Sequence, residues 1–170
     1  MNRFARLSGL DQLRAIFAGE TGYQGIVKTL DLRPVSAEEG VVVFEGFPSE
    51  AVYNPLGTVH GGYAATLLDT VMGCAVHSCL KPGQAYTTLE LKIAYHRALT
   101  EASGPVRAEG RVVSLGKRVA FAEGRLRDRN GDVAASATTT CLVLSPDSVP
   151  GPAARQGNTI DGPAPSQSAF

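Results

Sequence analysis

NPLGTVHGGYAATLLDTVMG, residues 54–73, decides the reading of this 170-residue chain. It opens with a loop of Asn, Pro and Gly, presents His60-Gly61-Gly62, and runs straight into an apolar helix. Ala64, Leu67, Leu68, Val71, Met72 and Ala75 recur at the 3.6-residue helical period. A second face carries Gly62, Ala65, Thr66, Asp69, Gly73 and Val76, mostly small, with one carboxylate in its middle. A helix apolar on most sides belongs inside a protein. Asp69 therefore needs a reason: either a structural acid satisfied by Thr66 or Thr70, or a functional one.

On either side of this helix the pattern is that of strands. Residues 26–34 alternate moderately and read as a strand; Glu38-Glu39-Gly40 makes a turn, and residues 41–47, rich in β-branched and aromatic side chains, return as a hairpin. Lys81-Pro82-Gly83 stops the helix. Residues 86–96 then alternate cleanly, with Thr87, Leu89, Leu91, Ile93 and Tyr95 on one side and Thr88, Glu90, Lys92, Ala94 and His96 on the other. Three more strands follow, at 105–114, 118–128 and 133–144, the last two joined by an Asn130-Gly131 turn. The expected order is strand, strand, long buried helix, four meandering strands. One buried helix needs a sheet curved around it, which makes the fold α+β. A short helix over residues 10–18 precedes all of this. The domain plan is an N-terminal helical extension (1–24), one core domain (25–147) and a Pro/Gly-rich flexible tail (148–170).

Composition excludes several classes. Charged residues are 19% and the net charge is zero, so there is no electrostatic footprint for nucleic acid or an anionic membrane. No apolar run approaches a membrane span, and charges interrupt the amphipathic N-terminus, so a cytoplasmic protein is expected. Cys74, Cys79 and Cys141 have no metal-ligand spacing and no electropositive setting; they read as reduced, buried, small apolar residues. His60 with Asp69 makes no tetrahedral metal set, and neither metal nor cofactor is expected. The run from Gly110 to Lys117 is no phosphate loop: five residues separate its glycines, and Arg118 stands where Ser or Thr is required. No G-x-S-x-G serine elbow occurs.

What remains is carbonyl chemistry. Gly61 and Gly62 at a helix start leave backbone N–H groups unshielded, and such a terminus can polarise a carbonyl oxygen. Asp69 lies eight residues on, about 12 Å along the helix, too far to act on the same carbonyl within one chain. Two antiparallel copies of the helix across a dimer axis would bring each Asp69 to the other chain's Gly61. The small residues Gly62, Ala65 and Gly73 would let the chains come close.

The pattern N-x-x-G-x-x-HGG-x(6)-D, with Asn54, Gly61 and Asp69 at its fixed points, resembles the hotdog-fold acyl-CoA thioesterases, most of all the phenylacetate-pathway and 4-hydroxybenzoyl-CoA branch. The resemblance covers residues 25–145, including strand order and the downstream LGKRVAF segment. It implies a curved antiparallel sheet around one long helix, hydrolysis of an aromatic or medium-chain acyl-CoA, and a homodimer at least, assembled as a homotetramer. It also implies roles. Gly61 N–H polarises the thioester carbonyl, with Asn54 positioning it. Asp69 of the partner subunit is base or nucleophile. Thr88, or Thr87 one residue away, orients water. His60 shapes the turn and hydrogen-bonds locally, and Gly62 and Thr87 are counted with the substrate-binding residues. Arg97, Lys117 and Arg118 are candidates for the CoA phosphates. The rival readings are a hydratase or dehydratase, which would need His60 to reach substrate, and an acyl-CoA-binding protein without turnover.

Overall fold

The computed structural model describes residues 3–22 and 25–146; the tail expected at 148–170 lies outside them. Among these residues the order is α1 (Gly9–Phe17), α2 (Gly25–Thr29), β1 (Leu32–Glu38), β2 (Val41–Gly46), α3 (Gly61–Ser78), β3 (Ala85–Tyr95), β4 (Val106–Leu115), β5 (Val119–Arg127) and β6 (Val133–Leu144). The six strands form one antiparallel sheet in the order β1-β2-β4-β5-β6-β3. All six touch α3, so the sheet curves around the helix in the hotdog arrangement.

The burial of α3 follows its sequence. Leu67, Leu68, Val71, Met72, Ala75 and Val76 are wholly inaccessible, and Tyr63 and Ala64 nearly so. Removing each of the Leu67, Leu68, Val71 and Met72 side chains from water contributes about 1.5–3 kcal/mol. The sheet meets this helix with small residues. Ala108 and Gly110 of β4, Ala120, Ala122 and Gly124 of β5 and Ala135 and Ala137 of β6 are all buried. At Gly110 the approach is so close that an added Cβ would stand 2.4 Å from the Val71 carbonyl and 2.6 Å from the Met72 nitrogen. Helix backbone rests directly on strand backbone there.

Three expectations are corrected. Residues 25–29 form the helix α2, and β1 starts only at Leu32. Leu30 N–H donates to the Ile26 carbonyl and Asp31 N–H to that of Lys28. Val27 and Leu30, three apart, both pack against the core, and that docking overrides the strand preference of the β-branched residues. The last four strands are not a meander either: β4, β5 and β6 are, but β3 crosses to the far edge beside β6. Finally, the alternation along β3 is broken. A bulge between Thr88 and Glu90 leaves Leu89 unpaired and 59% exposed. Before the bulge, Tyr86 and Thr88 pair with Val143 and Cys141; after it, Leu91 and Ile93 pair with Thr139 and Ala137. Those partners are the buried face of β6. Thr88 therefore shares the helix-facing side with Leu91, and Thr87 is exposed.

The N-terminal helix docks through polar contacts as well as apolar ones. Ser8 caps α1 by accepting from Asp11 N–H, and Gly9 N–H donates to the Leu80 carbonyl at 2.9 Å. Gln12 Nε2 donates to the Leu7 carbonyl, so its Oε1 accepts from Nε2–H of His77 at 3.1 Å. Burial lowers the His77 pKa.

Two predictions follow from this packing. Gly110→Ala should destabilise the fold by upwards of about 1–3 kcal/mol, because its methyl meets helix backbone; Gly124→Ala should cost less, because its methyl meets only the side chains of Leu68 and Met72 at 3.1 Å. Chemical denaturation of the two variants checks the order. For His77 the folded state favours the neutral ring, so its contribution to stability is complete above the unfolded value of about 6.5 and is lost as pH falls below it. Thermal midpoints at pH 7.5 and 5.0 should fall further apart in the wild type than in His77→Gln.

Candidate functional site

Helix α3 presents its two candidate regions, around Gly61 and around Asp69, at different places. The loop before it is built by Asn54, whose Oδ1 accepts from the N–H groups of Leu56 (2.9 Å) and Thr58 (3.3 Å), while Nδ2 donates to Thr58 Oγ1. All polar groups of the Asn54 amide are thus engaged in holding the turn. His60 is the N-cap: its Nδ1 accepts from Gly62 N–H at 2.8 Å. The Gly62 donor is therefore taken, whereas Gly61 N–H has no acceptor among the described residues. The cap engages only Nδ1 of the His60 ring.

Gly61 is a glycine for steric rather than conformational reasons. Its φ is not positive, but an added Cβ would stand 3.1 Å from the ring and hydroxyl of Tyr95. Tyr95 Oη in turn donates to the Gly61 carbonyl at 3.0 Å, tying the helix start to the end of β3. Gly61, His60 and Tyr95 border one cavity, together with His96 and Arg97.

Asp69 borders another. Its Oδ1 accepts from Thr88 Oγ1 at 3.1 Å. Thr66 and Thr70, the candidate structural partners, instead donate to the carbonyls of Gly62 (2.9 Å) and Thr66 (2.7 Å) on their own helix. The carboxylate is thus held from β3, and the bulge at Leu89 is what aims Thr88 rather than Thr87 at it. Around Asp69 lies a cavity of about 580 Å³. Thr70, Cys74 and Tyr86 border it near the acid in sequence or pairing; Ile16 and Phe17 of α1, Ile26 and Val27 of α2, and Phe44 of β2 complete an apolar lining. Phe17 and Phe44 meet edge to face, 5.3 Å between centroids.

The walls from α1 and α2 were not read from the sequence, since nothing local in residues 9–29 points toward Asp69. The small face is likewise used differently: an added Cβ at Gly73 would stand 2.3 Å from Tyr86 Oη, so Tyr86 of the same chain already covers Gly73. Among the candidate cations, Arg97 pairs with Asp132 and with the buried Asp128 at 3.7 Å, which ties it to the β5–β6 turn. Lys117 and Arg118, in the β4–β5 turn, are exposed and border a separate cavity with Gln84 and Ser145. Cys74 and Cys141 are poor nucleophiles: burial, with the Asp69 charge added, pushes the Cys74 thiol up to about 12, and burial raises that of Cys141.

Comparison with known proteins finds similar sequences and similar folds. The model of the thioesterase superfamily matches residues 56–135. A 69-residue stretch is 46% identical to a Halobacterium salinarum protein described provisionally as an esterase, covering 39% of this chain and 44% of that relative. The chain thus spans less than half the length of that relative. The 1,4-dihydroxy-2-naphthoyl-CoA hydrolase of Listeria monocytogenes is 28% identical over 61% of this chain and 83% of its own. Among solved structures, a conserved protein of Pseudomonas aeruginosa superposes with a TM-score of 0.68 at 31% identity, covering 75% of this chain and 99% of the other.

Proposed function

We propose that the chain, whose residues 56–135 match the thioesterase superfamily model, is a member of that superfamily and hydrolyses acyl-CoA thioesters to the free acid and CoA. Asp69 either attacks the thioester carbonyl or draws the proton from an attacking water, with Thr88 holding the carboxylate. The Gly61 N–H of a second subunit polarises the carbonyl oxygen as it gains charge. The C–S bond then breaks and CoA leaves as the thiol, taking up a proton that water supplies; on the nucleophilic route water then cleaves the acyl–Asp69 anhydride, which releases the acid and restores the carboxylate.

The observation that carries this reading is that Asp69, bordering a largely apolar cavity, is held by a hydrogen bond from Thr88 of β3. An acid needed only for structure would be satisfied by its own helix, and here the helix hydroxyls turn away from it. Sharing of the site between two chains is supported by the division of Gly61 and Asp69 between separate cavities, about 12 Å apart along α3. It is further supported by β3, an eleven-residue edge strand whose outer backbone groups have no strand partner among the described residues. Pairing of β3 with its copy would assemble the dimer, and two dimers the tetramer that the family resemblance implies. The apolar cavity favours an aromatic or medium-chain acyl group. The phosphates of CoA would fall to Lys117 and Arg118 ahead of Arg97, whose guanidinium is already paired.

Release of free thiol from an acyl-CoA panel that includes phenylacetyl-, octanoyl- and crotonyl-CoA tests the activity; hydration of crotonyl-CoA without thiol release would replace it with the lyase reading. Asp69→Asn should fold and lose at least about two orders of magnitude in kcat. Thr88→Val, which keeps shape and removes the hydroxyl, should lose about tenfold, within the range of a lost hydrogen bond to a charged group, while Thr87→Val stays near wild type. The shared site has its own test. Asp69→Asn subunits are mixed with Gly61→Ala subunits, in which the new methyl meets Tyr95. Random exchange makes about half the dimers hybrid, each with one intact site, so about a quarter of wild-type activity should return. A mixture that stays inactive after verified exchange would place both groups in one chain.

A further inference from the structure

The thioesterase match begins at residue 56, yet nine of the thirteen residues bordering the Asp69 cavity precede that point. Within the matched segment only Asp69, Thr70, Cys74 and Tyr86 border it. The part of the chain that resembles the family supplies the carboxylate and its hydroxyl partner; the N-terminal helices supply most of the wall facing them. That wall is apolar except for the exposed Lys28. One of its members is not explained by core packing among the described residues. Ile26 is 50% exposed and takes no part in the core, whereas its neighbour Val27 packs against it. A large apolar side chain on a five-residue helix, half in water and bordering a cavity that holds a carboxylate, is placed to cover something apolar that arrives with the substrate.

We propose that α1 and α2 form the acyl-selecting wall of the site, and that Ile26, with Phe17 and Val27, sets the size of the apolar acyl group admitted beside Asp69. This rests on the thioesterase reading above and adds to it which residues choose the substrate. The remainder of the wall argues for the same occupant. The Phe17–Phe44 ring pair presents carbon surface to the cavity, and Asp69 disfavours an anionic acyl chain near it. The occupant is an uncharged aryl or alkyl acyl group, and the selecting residues sit on elements that the chemistry does not use.

The test compares wild type, Ile26→Trp and Ile26→Ala in the full chain, with circular dichroism as a check on folding. Because Ile26 is half-exposed, both substitutions should leave the fold intact. Activity is read as kcat/KM over acetyl-, butyryl-, octanoyl- and phenylacetyl-CoA. Binding is read by calorimetry with the octyl and ethyl thioethers of CoA, which cannot be hydrolysed. With Trp, the octanoyl-to-acetyl ratio of kcat/KM should fall at least about tenfold, the size expected for methylenes denied a pocket. With Ala it should stay level or rise. The same ratio should shift in thioether binding. If wild type releases thiol but the ratio moves less than twofold in both variants, the wall assignment is overturned while the thioesterase reading stands. If wild type releases no thiol from any substrate but octyl-thioether binding is selectively lost in Ile26→Trp, the hydrolase reading fails and the acyl wall stands. No discrimination between octyl and ethyl thioethers in wild type would also overturn it.

Discussion

The contact between the backbone of α3 and the backbone of β4 at Gly110 is the constraint on which the rest of the structure depends. A helix this apolar needs cover on nearly all sides, and a sheet can supply it only by coming close and curving. Closeness requires small residues on the concave face, and β4, β5 and β6 provide Gly and Ala at the positions that meet the helix. Curvature then brings β3, the last strand of the sheet, alongside the part of α3 that carries Asp69. The Thr88–Asp69 contact is thus a consequence of how tightly the sheet wraps the helix.

What could be read from the sequence was whatever depends on near neighbours along the chain. The period of Ala64, Leu67, Leu68, Val71, Met72 and Ala75 fixes α3, and β6 was bounded to the residue, because in both cases one face is buried along the whole element. The choice between Thr87 and Thr88 stayed open for a physical reason. A bulge reverses the phase of a strand, and alternation on either side of it looks equally good from the sequence alone. Helix α2 was read as a strand since Ile26 and Val27 carry strand propensity, and only docking of Val27 and Leu30 on the core decides otherwise. The position of β3 beside β6 and the cavity walls from α1 and α2 are long-range facts with no local mark.

The division of hydroxyls around Asp69 has a general consequence. Thr66, Thr70 and Thr88 are chemically alike, but the first two satisfy themselves on helix carbonyls, as threonines within helices commonly do. A hydroxyl delivered from a separate element costs more to position, because it relies on strand register rather than on helix geometry. That arrangement leaves Asp69 oriented by a group on a strand and facing a cavity rather than folded back on its own helix. In the role proposed above, a carboxylate so held would lose less freedom on meeting substrate, which is the advantage of a preorganised site.

Gly61 shows the same logic from the other end of the helix. A glycine at a helix start is usually explained by backbone freedom, but here φ is ordinary and the limit is Tyr95. The tyrosine ring occupies the space a side chain would take, and its hydroxyl anchors the Gly61 carbonyl. The peptide N–H is left uncovered on a helix start that cannot easily shift. Tyr95 and Thr88 lie on the same strand, one on each side of the β3 bulge, and each fixes one end of the machinery on α3. The edge strand β3 is therefore what coordinates the two regions within a chain. If its free edge also pairs with a second copy, as the shared-site reading requires, assembly and alignment of the reactive groups become one event. A change in β3 register would then be felt at the Asp69 of one chain and the Gly61 of the other together.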